Sequence, residues 1–173
     1  AATKHAFALW SGGVVAWGHQ LLGGYISDVQ DQLRNVQQIC GTFYAFAAIL
    51  AHGSVVTWGT QDYGGDSSSV QDQLKNVQQI CGTAGAFAAI LAHGRVVTWG
   101  HEEFGSDSTR VQDQLRNVQI SGSDFAFAAI LADGTVVTWG NALYGGDCYS
   151  VQDQLRMCSR FVAHNMLLLQ LWQ

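Results

Sequence analysis

Apolar residues in this chain come in short runs broken by glycine turns. The clearest runs occupy residues 86–100, where Ala-Phe-Ala-Ala-Ile-Leu precedes His93-Gly94 and Val96-Val97-Thr98-Trp99-Gly100 follows it. The second run is β-branched and aromatic, as strands prefer. His-Gly or Asp-Gly between two such runs predicts a two-residue type I′ hairpin, whose turn needs positive φ. Residues 45–59 and 126–140 repeat the pattern, and residues 5–18 carry a shortened copy. On a strand of period two, Val56 and Trp58 share one face, and Val55 and Thr57 share the other. Beyond the three later Trp-Gly pairs lies a loop with an aromatic-Gly element, Tyr63-Gly64, Phe104-Gly105 or Tyr144-Gly145, whose aromatic is expected to fold over a sheet end; the first copy has Leu22-Gly23-Gly24 there.

The period then changes. Val70, Leu74 and Val77 are spaced i, i+4, i+7, which predicts one face of a short helix within residues 67–77. Ser68 with Gln71 fits a capping box, as do Ser27 with Gln30 and Thr109 with Gln112. Asp72 and Lys75 sit three apart on the outer side, and Asp31–Arg34, Asp113–Arg116 and Asp153–Arg156 repeat the pair. Such pairs contribute only about 0.2–0.5 kcal/mol each, so they mark a solvated face. Gln78-Gln79-Ile80-Cys81-Gly82 returns to extended chain.

Two markers run in register through all of this. The pairs Trp17-Gly18, Trp58-Gly59, Trp99-Gly100 and Trp139-Gly140 are separated by steps of 41, 41 and 40 residues. Val-Gln-Asp-Gln-Leu begins at Val29, Val70, Val111 and Val151 with the same steps. A period of this size means a propeller, solenoid or array, whose units are too small to bury their apolar faces alone. The expected fold is mainly β. It is a repeat array of about four ~41-residue units, propeller-like and either closed, open or solenoid-like. Each unit is a hairpin, a short helical spacer and a third strand. The chain reads as one repeat domain over residues 1–173, with units near 5–40, 41–81, 82–121 and 122–162 and a C-terminal run at 163–173.

Composition narrows the function. The chain has 173 residues, 48% of them hydrophobic, a formal net charge of −5 and no basic run, so it lacks the cationic footprint of direct nucleic-acid binding. Charged residues make up only 12%, which leans towards a chain that hides surface in partners. Proline is absent, so the turns rest on the 20 glycines. Cys40 and Cys81 occupy equivalent positions where the third copy has Ser121, which reads as a small buried site. Cys148 and Cys158 could pair, but nothing demands it. No Cys/His spacing suits zinc, and no signal peptide is evident, so an intracellular or organellar protein without disulfides is expected.

His52 and His93 fall at hairpin turns and give way to Asp133, as exposed turn residues do. The loops lack the ligand spacing of calcium sites. No catalytic, cofactor or metal constellation emerges, and the recurrent tryptophans are expected in the core. The last run holds Met166, Leu167, Leu168, Leu169, Leu171 and Trp172. It is far shorter than the ~20 residues of a membrane span, so it is expected to cap the array or to dock a protein partner.

At Leu131-Ala132-Asp133-Gly134-Thr135-Val136-Val137-Thr138-Trp139-Gly140, followed by Tyr144-Gly145-Gly146, the chain resembles the regulator of chromosome condensation repeat family. His5-Ala6-Phe7-Ala8-Leu9 is similar to that family's opening strand, and the Val-Gln-Asp-Gln-Leu spacers resemble a compact variant common in dinoflagellate proteins. The resemblance implies β-propeller blades, although the units here are fewer and shorter than the family's. No segment matches the wedge through which the founding member acts on the small GTPase Ran, so exchange activity is not carried over. The function expected is a non-enzymatic interaction scaffold or accessory subunit of a larger assembly, with an organellar, photosynthetic one in view. The scaffold reading predicts an exposed apolar C-terminal run and no polar pocket. The alternative, a recognition module of a GTPase-exchange or ubiquitin-ligase system, predicts a further domain or an acidic groove that selects a basic client.

Overall fold

The computed structural model describes residues 13–155 and the backbone of 7–10. The first hairpin pairs β1 (Phe7–Trp10) with β2 (Gly13–Ala16). Three antiparallel three-stranded sheets follow. They are β3 (Val36–Gly41), β4 (Ala45–Leu50) and β5 (Val55–Gly59); β6 (Val77–Gly82), β7 (Ala86–Leu91) and β8 (Val96–Gly100); and β9 (Gln119–Gly122), β10 (Ala126–Ile130) and β11 (Val136–Gly140). The hairpin strands pair as the alternation requires, with Phe87 opposite Trp99 and Ile90 opposite Val96. Each sheet takes its first strand from the sequence before the hairpin, so the sheets straddle the boundaries of units 5–40, 41–81, 82–121 and 122–162. The link is a three-residue turn clamped by one hydroxyl: Thr42 Oγ1 accepts the Ala45 N–H at 2.9 Å and donates to the Ala45 carbonyl at 3.2 Å.

The hairpin turn differs from the type I′ expectation. The Gly53 N–H donates to the Leu50 carbonyl at 2.7 Å, the Leu50 N–H donates to Ser54, and of the loop residues only Gly53 has positive φ. That is a three-residue loop, a turn followed by a left-handed glycine. Histidine at its second position is thereby spared a strained backbone.

Sheets stack face to face. Phe87, Ala89, Leu91, Val97 and Trp99 of the β6–β8 sheet pack against Ala45, Ala47, Ile49 and Val55 of the preceding sheet. Phe127, Ala129 and Trp139 pack in the same way against Ala86, Ala88, Ile90 and Val96. Phe46, Ala48, Leu50, Val56 and Trp58 pack on Val14, Ile26 and Leu33 of the first unit. Every blade thus has a large face, bearing Phe and Trp, and a small face of alanines, and each large face covers the small face before it. The alanine-rich strand is what lets neighbouring sheets approach closely. Innermost strands come nearer still: a Cβ on Gly122 would stand 2.4 Å from the Gly82 carbonyl oxygen, so only glycine fits. The sheets do not close into a ring among the described residues.

The 40-residue step has a structural cause. β3 and β6 each carry a bulge, between Val36 and Gln38 and between Val77 and Gln79. β9 lacks the extra glutamine and pairs Gln119–Gly122 with β10 without a register shift. The deleted residue is the bulged one, so the rest of the blade keeps its register.

The spacer over residues 67–77 is not the regular helix expected there. It is a run of turns with i→i+3 bonds, and a single i→i+4 bond joins the Leu74 N–H to the Val70 carbonyl. Only the last copy reaches helix, at residues 152–155. The apolar spacing still holds, since Leu74 and Val77 are buried and Val70 packs against them. The capping boxes are displaced by one residue. Ser67, not Ser68, donates to Gln71 Oε1 at 2.8 Å, and Ser108, not Thr109, donates to Gln112. In the first unit Gln30 bonds the Val14 carbonyl instead of Ser27. The spacer ends at Asn35, Asn76 and Asn117, all left-handed with φ of 55°, 54° and 52°.

Candidate interaction surface

Val-Gln-Asp-Gln-Leu turns out to be a strand-edge clamp. Gln71 Nε2 donates to the Val55 carbonyl at 3.0 Å, Gln112 to Val96 at 2.9 Å and Gln152 to Val136 at 3.0 Å. β5, β8 and β11 are edge strands, and the glutamine occupies one of their free carbonyls. Asp72 and Lys75 lie outside, in a 4.0 Å ion pair with both side chains exposed.

At the opposite end from the hairpin turns, each Trp-Gly strand runs into a 3₁₀ turn: Gln20–Leu22, Gln61–Tyr63, Glu102–Phe104 and Ala142–Tyr144. A left-handed glycine closes each one, and in the first three its carbonyl serves the next blade. Trp58 Nε1 donates to Gly23 at 3.1 Å, Trp99 to Gly64 at 3.1 Å and Trp139 to Gly105 at 3.0 Å. The same tryptophans stack on Phe46, Phe87 and Phe127 at 5.2–5.5 Å between ring centroids. Trp58, Trp99 and Trp139 are therefore core, as expected, whereas Trp17 is 47% exposed. Gly18, Gly59, Gly100 and Gly140 all hold positive φ at the strand ends.

The third residue of these turns builds an aromatic ladder across the blades. Tyr44 meets Tyr63 at 4.5 Å, and Tyr63 stacks on His101 at 4.9 Å and meets Phe104 at 5.8 Å. Phe104 stacks on Phe125 at 5.1 Å, and Phe125 on Tyr144 at 4.6 Å. Gly85 stands where Tyr44 and Phe125 stand in the other blades, and a Cβ there would come within 2.9 Å of both Tyr63 and Phe104. The ladder ends are open: Phe43 is 56% exposed and Tyr144 58%. Its rim is acidic, with Asp62, Glu102, Glu103 and Asp124 exposed, while Leu21 and Leu143 project at the two outer turns. A cleft of about 1190 Å³ opens beside Tyr44 and Tyr63; Asp28, Asp62 and Asp66 line it, and no lysine or arginine does. The Ser68 backbone N–H, 2.8 Å from Asp66 Oδ1, holds that carboxyl below its usual range, and the Thr109 hydroxyl does the same for Asp107.

The sequence placed aromatics over the sheet ends but did not join them. The Tyr44 and Phe125 contribution was missed because the partners come from different repeats. Met166, Leu167, Leu168, Leu169, Leu171 and Trp172 lie outside the described residues. His52 bonds Ser54 at 2.7 Å, and His101 accepts the Glu103 N–H, so both serve turns. Cys40, Cys81 and Cys148 are free thiols; burial pushes Cys40 up to about 12 and raises Cys81 as well. No described helix is long and apolar enough to cross a membrane.

No family model matches the sequence, and no match to a curated protein is found. Solved structures do match. Yeast RCC1 (Prp20), crystallised bound to Kap60, is 20% identical with a TM-score of 0.57, covering 79% of this chain and 41% of its own. Human WBSCR16 is 19% identical with a TM-score of 0.52, covering 79% and 45%. Prp20p from Saccharomyces cerevisiae, in a structure reported with its binding to Gsp1p and histones, is 17% identical with a TM-score of 0.50, covering 75% and 39%. The chain thus spans less than half of the length of these proteins. At such identities the likeness speaks for architecture alone, and it agrees with the blades described above: the described residues form a row of β-propeller blades like those of RCC1, not closed into a ring.

Proposed function

We propose that this chain is a non-enzymatic protein-interaction scaffold, an accessory subunit that holds a partner segment on its aromatic end. The aromatic ladder from Phe43 to Tyr144, with its acidic rim, carries the reading. Aromatic faces flanked by carboxylates suit a basic segment, because arginine and lysine gain both cation–π and ionic contacts there. The low share of charged residues, 12%, fits a surface meant to be covered. The run from Met166 to Trp172 adds a second candidate contact on its composition alone.

The acidic cleft beside the ladder favours a second reading, a recognition module that selects a basic client. The neighbour Prp20p is described as binding Gsp1p and histones. A titration with an arginine-rich model peptide and a glutamate-rich control tests both. Binding of the first alone, weakened about tenfold by Phe43→Ser with Tyr144→Ser, is the expected result. Equal binding of both peptides, or no effect of the double substitution, would overturn the assignment.

A further inference from the structure

The blade interface inside this chain is heterologous: a large face bearing tryptophan meets a small face bearing a glycine carbonyl. Three copies of it are filled. In each, the tryptophan N–H reaches the carbonyl of Gly23, Gly64 or Gly105. The packing is closed there, since a Cβ on any of those three glycines would come within 2.9 Å of Phe46, Phe87 or Phe127. Among the described residues two unmatched halves of such an interface remain, one on the first hairpin and one on the last sheet.

Among the described residues nothing covers the large face of the first blade. Val15 is 55% exposed where its equivalents Val56 and Val97 are each 7%. Trp17 is 47% exposed where Trp58, Trp99 and Trp139 are 3–5%, and among the described residues its N–H meets no acceptor. At the last blade the small face is uncovered. A Cβ on Gly145 would meet nothing within 4 Å. Ala128, Ile130 and Val136 are half-buried where Ala88, Ile90 and Val96 are buried.

We infer that a second copy of this chain fills the gap, docking its Val15 and Trp17 face onto the Ile130, Val136 and Gly145 face of the first. The occupant follows from identity of parts, because the same two surfaces already join three times within one molecule. Head-to-tail contacts of this kind build rings where the rotation closes and filaments where it does not. The inference does not rest on the aromatic ladder; of the ladder's rings only the last, Tyr144, borders the docking face at Gly145.

Sedimentation of the whole 173-residue chain over a concentration series tests it. Wild type is expected to associate as concentration rises. Trp17→Ala, which removes the large-face peg, and Ile130→Lys, which charges the small face, are each expected to sediment as monomers. Both positions are part-exposed, and unchanged circular dichroism with a cooperative melt, compared at a dilution where wild type is monomeric, would show that both variants fold. Mixed together, the two variants keep one intact interface between them and should form a 1:1 pair. A wild type that stays monomeric at every concentration, single variants that associate as well as wild type, or a mixture that forms no pair would each overturn the proposal.

Discussion

Cys148→Ser should stabilise the last blade. The outer edge of the two middle blades carries a threonine on the Trp-Gly strand and a serine at the start of the spacer. Thr57 Oγ1 lies 3.0 Å from Ser67 Oγ, and Thr98 Oγ1 lies 2.9 Å from Ser108 Oγ. In the last blade these positions hold Thr138 and Cys148. The sulfur turns to Gln152 Oε1 at 3.1 Å, and Thr138 Oγ1 is left enclosed without a partner. A buried hydroxyl without a partner costs about 1–3 kcal/mol, and a restored neutral hydrogen bond is worth about 0.5–1.5 kcal/mol. Serine fits, since Ser67 and Ser108 are buried at the same place. The expected gain is about 1 kcal/mol, or roughly 2–4 °C in melting temperature for a chain of this size. Thr138→Val removes the orphan from the other side and should also stabilise. The first unit already shows that solution, with Ala16 and Ile26 at the paired positions. Arrays unfold partly by unit, so slowed hydrogen exchange over Val136–Gly140 is the sharper readout. If Cys148→Ser left exchange and melting unchanged while Thr138→Val destabilised, the hydroxyl would not be an orphan and the reasoning would fail.

Three further outcomes are expected. Trp99→Phe deletes the 3.1 Å bond to Gly64 and part of a ring that is 3% exposed, so denaturant unfolding should show a loss of about 2–4 kcal/mol, against under about 0.5 kcal/mol for Trp17→Phe in the monomer. Gln71→Leu frees the Val55 carbonyl on an edge strand and should cost about 1 kcal/mol, with faster exchange confined to β5 and its spacer. Cys40, raised from 9.0 to about 12 by burial, keeps its proton in the folded chain where the unfolded chain loses it, so its contribution falls as pH rises from 9 towards 12; Cys40→Ala should flatten the alkaline stability profile, and Cys40 should alkylate slowly at pH 8.5 in the native state.

What the sequence revealed were features with a local cause. Period-two alternation around His93-Gly94 and Asp133-Gly134 places every hairpin, because strand and turn preferences act within a few residues. The spacer misled for the same reason. Val70, Leu74 and Val77 satisfy a helical spacing that a run of turns also satisfies, and no side-chain pattern separates the two over one turn. The first strand of each sheet was legible in principle: Gly41-Thr42-Phe43-Tyr44-Ala45 is short enough to be a hairpin link, and Thr42 at its head is a turn-forming hydroxyl. The asparagines at 35, 76 and 117 likewise recur at the spacer's end, where the left-handed region favours them. The ladder had no such signal, since Tyr63 and Phe125 become neighbours of Phe104 only through the stacking of blades.

That stacking also explains why equal motifs do unequal work. Trp17 and Trp99 sit in nearly the same local sequence, yet one is half exposed and the other buried, because burial here is conferred by the next blade. The middle residue of the four turns runs Leu21, Asp62, Glu103 and Leu143. Acid occupies the interior turns and leucine the two outermost. A purely solvated end would have no reason to change composition at its edges, where water is most accessible. Leucine there, exposed by 73% and 90%, makes sense where the edges themselves are covered. On the proposed head-to-tail contact, the constant positions build the blades, and the two leucine turns mark the blades at which a neighbour docks.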